Sequence, residues 1–144
     1  MTDRIVVGTD GSVTAGHAVE EAARWARALN CELHIVSAYE PSHGAGVAPV
    51  GPVLAPGVPP EVDRRDHGVE SILTAAAGAV DVAVTTHAVP GKPADALLEV
   101  ASDVEATLIV VGSRGMHGVR RALGSVPNAV SHGARCNVLI VLTD

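Results

Sequence analysis

The sequence of 144 residues contains no phenylalanine, one tryptophan and one tyrosine. A core without aromatic rings must be assembled from Val, Ala, Leu and Ile, and 47% of the chain is hydrophobic. The same lack removes the stacking platforms on which single-stranded nucleic acid is bound. Positive charge is also scarce: 10 basic residues face 16 acidic ones, the net charge is −6, and Lys92 is the only lysine. An acidic chain offers no basic track along a phosphate backbone, so no nucleic-acid partner is expected. The two cysteines, Cys31 and Cys136, lie far apart, and the seven histidines form no H-x-x-H or H-x-x-x-H pair. Side-chain metal chemistry therefore has no spacing to rest on. Apolar runs such as Leu108–Val111 and Val138–Leu142 fall far short of the roughly 20 residues of a membrane span. Met1-Thr2-Asp3-Arg4 leads straight into an apolar run without a signal-peptide pattern. The expectation is a cytoplasmic protein that does not attach to membranes.

The length suits one domain over residues 1–144. Charged residues make up only 18% of it, which excludes a disordered chain or a coiled coil. Five β-rich runs stand out: Arg4–Thr9, Leu33–Ala38, Val82–Val89, Thr107–Gly112 and Asn137–Leu142. Several are unbroken apolar stretches, the pattern of strands covered on both faces. Between them lie helical patterns. Thr14–Asn30 aligns Ala18, Ala22, Trp25, Ala26 and Leu29 on one face. Pro60–Ala79 carries Val69, Ile72, Leu73 and Ala76, and Pro93–Ser102 carries Ala94, Leu97, Leu98 and Ala101. A short helix covers Val126–Gly133. Strands alternating with helices predict an α/β fold: a doubly wound, five-stranded parallel sheet in the order 3-2-1-4-5 with helices on both faces. Residues 41–60 hold six of the nine prolines and no charged residue. Such a segment reads as a mobile lid or a disordered connector.

In that strand order, strands 1 and 4 are neighbours whose following helices lie on opposite faces, and ligands bind in the crevice at this switch point. Strand 1 runs into Gly8-Thr9-Asp10-Gly11-Ser12, where Asp10 or Ser12 can cap the next helix. Strand 4 runs into Gly112, Gly115, Gly118 and Gly124, followed by Ser125-Val126 at a helix start. Glycines let a backbone approach a ligand closely, and a helix N-terminus offers free N–H groups to phosphate. Arg114, Arg120 and Arg121 fall in this stretch, and no acid does. Other phosphate-binding patterns fail: the only Gly-Lys is Gly91-Lys92-Pro93, which is no Walker loop, and G-x-G-x-x-G and G-x-S-x-G are absent. A flavin site would want aromatic walls. A receiver domain would want an acid after strand 3 and a lysine after strand 5, where Thr85-Thr86-His87 and Leu142-Thr143-Asp144 stand.

Val7-Gly8-Thr9-Asp10-Gly11-Ser12, the Gly91-Lys92-Pro93-Ala94-Asp95-Ala96-Leu97 stretch and the tail from Leu108 to Val141 resemble the universal stress protein family over nearly the whole chain. ATP-binding members carry G-x2-G-x9-G-[S/T]; here Gly112, Gly115, Gly124 and Ser125 match, with eight residues instead of nine before Gly124. The resemblance implies nucleotide contacts at Gly8, Thr9, Asp10 and Ala38, at Val111, Gly112, Arg114 and Gly115, and at Gly124, Ser125 and Val126. It implies ATP as ligand, with Mg²⁺ or Mn²⁺ carried by the phosphates. It also implies a homodimer joined through strand 5, Asn137 to Leu142. Gly124-Ser-Val-Pro-Asn-Ala-Val-Ser also resembles members that bind cyclic AMP, and a dimeric interaction module without nucleotide is the remaining alternative. The expected role is a stress-response sensor or regulator, with slow ATP hydrolysis at most. His117 sits in the phosphate loop. Histidines 17, 34, 43, 67, 87 and 132 read as surface or strand-end residues. Cys31 and Cys136 open strands about 14 Å apart in this order, too far for a disulfide.

Overall fold

β1 (Arg4–Gly8) and β4 (Leu108–Gly112) lie side by side at the centre of the sheet, each with three consecutive fully buried residues. The computed structural model describes residues 2–41, 64–113 and 124–143. Three further strands complete it: β2 (Glu32–Tyr39), β3 (Val84–Pro90) and β5 (Asn137–Val141). All pairs are parallel and the order is β3-β2-β1-β4-β5, as expected. The register aligns Ile5 with Leu33 and Leu108, and Leu108 with Asn137.

Four helices among the described residues, α1 (Val13–Leu29), α2 (Arg64–Gly78), α3 (Pro93–Asp103) and α4 (Ser125–Gly133), divide between the two faces. Strand residues alternate between those faces, and two cores result. Ile5, Val7, Leu33, Ile35 and Val110 pack with α1 and α2, through Ala18, Ala22, Val69 and Leu73 among others. Val6, Val36, Ile109 and Val111 pack with Ala96, Leu97 and Val100 of α3 and Val130 of α4. Every buried hydrophobic residue in these clusters is Val, Ala, Leu or Ile, as the missing aromatics required.

Some expectations shift. The buried stripe of α1 is Ala18, Val19, Ala22, Ala23 and Ala26. Trp25 and Leu29 lie beside it and are 39% and 55% exposed. Four small alanines let the helix sit close on the sheet, and the indole stays outside, its Nε1 donating to Glu21 Oε1 at 3.0 Å. β3 begins at Val84, two residues later than expected, and α4 begins at Ser125, one earlier. His34 is buried inside β2, not on the surface or at a strand end, and its ring meets that of His87 on β3. Cys31 and Cys136 are free thiols, whose pKa values are raised by burial. Residues 42–63, which take in the proline-rich segment from Ser42 on and the expected helix start at Pro60, lie outside the described residues.

Among the α2 residues whose side chains are described, only Val69 and Leu73 are fully buried, and both pack in the core that α2 shares with α1. Leu73→Ala should cost about 2–5 kcal/mol through the lost burial and the cavity left behind. Urea unfolding should show a lower midpoint at an unchanged slope.

Candidate functional site

The chain leaves β1 at its C-terminal end in a turn braced by its own polar groups. Thr9 N donates to Val36 O at 2.9 Å, which ties the turn to β2. Thr9 Oγ1 accepts from Gly11 N at 3.2 Å, and Asp10 Oδ1 accepts from Ser12 N at 2.9 Å. Ser12 is the N-cap of α1, its hydroxyl accepting from Ala15 N at 3.1 Å. Of the two capping candidates, Ser12 fills the cap position while Asp10 fixes the turn before it. Gly11 has φ +81°, and a Cβ built there would lie 2.9 Å from Ile72 Cγ1. Both facts require glycine at this point.

Opposite this turn, β4 ends at Gly112 and Ser113. Ser113 N donates to Val141 O at 2.8 Å, extending the β4–β5 ladder by one bond. The ladder then closes through a side chain: Thr143 N donates to Ser113 Oγ at 3.1 Å. Both residues are buried, although Leu142 between Val141 and Thr143 is 75% exposed. The chain end therefore folds inward over Gly112, where a Cβ would stand 3.3 Å from Thr143 Cγ2.

Between the two strand ends opens a cavity of about 350 Å³, within the usual range for small-molecule sites. It lies at the switch point that the strand order predicts. Seven of the eleven residues expected at a nucleotide site line it: Gly8, Thr9 and Asp10 from β1 and its turn, Ala38 from β2, Val111 and Gly112 from β4, and Val126 from α4. Gly124 and Ser125 immediately precede Val126 but are not in the wall. Arg114 and Gly115, like His117, Arg120 and Arg121, lie outside the described residues. Sequence reasoning missed Ser12, Thr14 and Ala15 of the α1 start, Val36 of β2, and Pro93 and Leu97 of α3. Pro93 and Leu97 stand in the Gly91–Leu97 stretch that carried the family resemblance, so a signal was present. Thr143 also lines the cavity, and no local pattern announces it, because its place depends on the tail folding back.

Three of the described helices, α1, α3 and α4, have first turns in the cavity wall, and they start differently. α1 is capped by Ser12, and α3 carries Asp95 in its first turn. α4 starts at Gly124 with neither a side-chain cap nor an acid in its first turn. Pro127 has no amide hydrogen and Asn128 N bonds back to Gly124 O at 3.0 Å. The amides of Ser125 and Val126 are thus the N–H groups that α4 offers to an anion. Among the described residues no group of three or more His, Cys, Asp or Glu side chains could hold a metal ion.

Ser113→Ala would leave the buried Thr143 amide without its acceptor. An unpaired buried donor costs about 1–3 kcal/mol, so the variant should unfold at correspondingly lower urea, while Ser→Ala at exposed Ser102 should leave the midpoint in place.

The match to known proteins covers the same span as this architecture. A sequence profile described as the universal stress protein family matches residues 1–141. Universal stress protein Rv1636 of Mycobacterium tuberculosis is 37% identical over 155 residues, covering 96% of this chain and 95% of that protein. YxiE, a universal stress protein of Bacillus subtilis, is 30% identical over 98% of this chain and 99% of its own length. A universal stress protein whose crystal structure was solved in complex with cAMP superposes with a TM-score of 0.71, at 34% identity over 99% of this chain and 98% of its own. With a family match from end to end, and with the strand order and cavity just described, the chain belongs to the universal stress protein family.

Proposed function

We propose that this protein binds an adenine nucleotide in the cavity between β1 and β4 and acts as a stress-response sensor or regulator, not as a dedicated catalyst. The observation that carries this reading is the pairing of that cavity with the uncapped start of α4. A mononucleotide needs a concave, mainly apolar seat for its base and an anion site for its phosphate. In this reading Val36 and Ala38 face the base, and Gly8 and Gly112 allow close approach. Asp10, whose Oδ1 accepts from Ser12 N, stands in the cavity wall beside them. Phosphate is held by the amides of Ser125 and Val126, with Gly124 as the N-cap before them. Arg114 and Gly115 of the glycine-rich stretch complete the proposed set. Mg²⁺ or Mn²⁺, where present, is carried by the phosphates themselves. Slow ATP hydrolysis at most is the corresponding proposal for turnover.

ATP is supported by Gly112, Gly115, Gly124 and Ser125, which follow the ATP-binding pattern with one residue fewer. Cyclic AMP is a second reading, favoured by the 34% identical protein solved with cAMP. Titration calorimetry with ATP, ADP, AMP, cAMP and adenosine separates them. Tighter binding of ATP than of AMP supports the first reading, and preference for cAMP over both supports the second. No heat with any of the five at millimolar concentration overturns nucleotide binding and leaves the interaction-module alternative. Gly124→Val should abolish nucleotide binding, since its φ of −57° is open to any residue while the added side chain obstructs the approach to phosphate, and circular dichroism of the variant checks that the fold persists. Full affinity in that variant would make the glycine structural.

The proposed assembly is a homodimer. β5 ends the sheet, has no Pro and no charge over Asn137–Val141, and is half-buried from Val138 to Val141. An open apolar edge invites pairing with another strand. A two-fold axis would pair β5 with its own copy. Ile140→Pro removes a ladder donor and should give monomers or precipitate in sedimentation velocity, whereas a parent chain sedimenting as a monomer at tens of micromolar would overturn the dimer.

A further inference from the structure

We propose that His34 and His87 form a proton-counting latch that holds the edge strand β3 against β2 at neutral pH and releases it on acidification. The two rings lie on the sheet face that α3 covers. His34 stands beside Thr85 and His87 beside Val36 in the β2–β3 register, so the side chains meet diagonally across the strand pair. Their ring centroids are 5.2 Å apart and tilted by 32°. His34 Nδ1 and His87 Nε2 are 2.9 Å apart, a hydrogen-bond distance that admits one proton between them and not two.

The surroundings decide where the other protons reside. His34 Nε2 is buried and has no hydrogen-bond partner among the described residues. It lies 3.7 Å from Glu32 Oε2. Glu32 is in turn held by Arg4, whose Nε donates to Oε2 at 3.0 Å while its Nη1 donates to Val104 O at 3.0 Å. A bare lone pair on Nε2 would face a carboxylate, whereas an N–H there is attracted to it. We therefore assign the Nε2–H tautomer to His34, with Nδ1 accepting from His87 Nε2–H.

The proton count follows from that assignment. A first added proton goes to His87 Nδ1, and the shared bond survives because His87 still donates through Nε2. A second would have to occupy His34 Nδ1, placing two N–H groups head to head at 2.9 Å. The bond must then break and two cations must separate.

The charged groups facing the pair are Glu32 on β2, Arg4 on β1 and Asp103 on α3. Glu32 favours protonation of His34 and Asp103 that of His87, while Arg4 opposes it. Burial outweighs these attractions. It lowers the pKa of His34, and burial with the neighbouring His34 ring lowers that of His87. Folded-state values below the ordinary histidine value mean that the unfolded chain binds more protons. The stabilisation is complete above pH ~6.5 and is lost as pH falls below it. A metal ion is the weaker occupant: the pair supplies two nitrogens, and no third ligand completes a group among the described residues. β3 is where the effect falls, because among the described residues it ends the sheet and has β2 as its single strand neighbour. The inference does not depend on what the cavity binds.

Urea unfolding of the full chain at pH 7.5, 6.5 and 5.5 tests it against the His34→Asn/His87→Gln double variant, which keeps one acceptor and one donor but cannot titrate. Below pH ~6.5 the parent should lose folded-to-unfolded ratio faster than the variant, by up to about tenfold per pH unit for each excess proton. Parallel profiles would overturn the latch. Should the double variant fail to fold, His87→Gln alone preserves a donor to His34 and should flatten the profile in part; no flattening counts against the proposal. Hydrogen exchange gives the local readout. After correction for intrinsic rates, β3 amides of the parent should lose protection at pH 5.5 while central β4 amides keep theirs. Equal loss in both strands would overturn release of the edge.

Discussion

The structure depends on the adjacency of β1 and β4. Both are short runs buried on both faces, Ile5-Val6-Val7 and Ile109-Val110-Val111, and such strands are stable only with a helical layer on each side. The chain supplies those layers by winding outward twice from this pair, α1 and α2 on one face and α3 and α4 on the other. The backbone after β1 therefore turns toward one layer, and the backbone after β4 belongs to the opposite one. The cavity is the gap between these departures. It exists because of the winding, before any side chain is specified.

Side-chain size then sets how tightly the gap is walled. With no phenylalanine available, the layers approach one another through alanine and valine. Along α1 the buried stripe is four alanines and one valine. α3 and α4 come close enough that a Cβ at Gly133 would lie 2.6 Å from Leu98 Cδ1. Small residues bury less apolar area each, so the core gains its stability from close packing over many contacts, with no single large anchor. This also explains why Trp25 is left outside: the surface it would cover is already filled by residues that need no room. Its indole finds a polar partner in Glu21 instead.

Much of this was legible in the letters. Unbroken apolar runs announced the buried strands, their alternation with helical periods announced a doubly wound parallel sheet, and glycine-rich strand ends marked the crevice. What the letters concealed was non-local. The period of α1 allowed two neighbouring stripes, and only the sheet decides which is buried. The inward fold of Thr143 depends on the Ser113 hydroxyl thirty residues earlier. The meeting of His34 and His87 depends on the β2–β3 register, which fixes a diagonal contact across 53 residues of sequence. Each is a pairing between elements, and a single sequence carries no sign of such pairings until the elements are assembled.

The sheet also separates two kinds of chemistry along its strands. The C-terminal ends carry glycines, hydroxyls and helix starts, groups whose charge does not change near neutral pH. Toward the N-terminal ends lie Arg4 and Glu32, which with Asp103 surround His34 and His87, and histidine is the side chain that exchanges protons in that range. β2 belongs to both, with His34 near its start and Val36 and Ala38 in the cavity wall. Beyond it, Gly91 N donates to Tyr39 O at 2.8 Å, so the far end of β3 is tied to β2 just before Pro93 enters the wall. No residue of β3 itself lines the cavity, and a ligand seated against Pro93 favours the form in which β3 is docked. By linkage it stabilises that form by an amount that grows with its concentration over its dissociation constant. Protons that favour the undocked form and ligands that favour the docked one then oppose each other through one strand pair, without any contact between their sites.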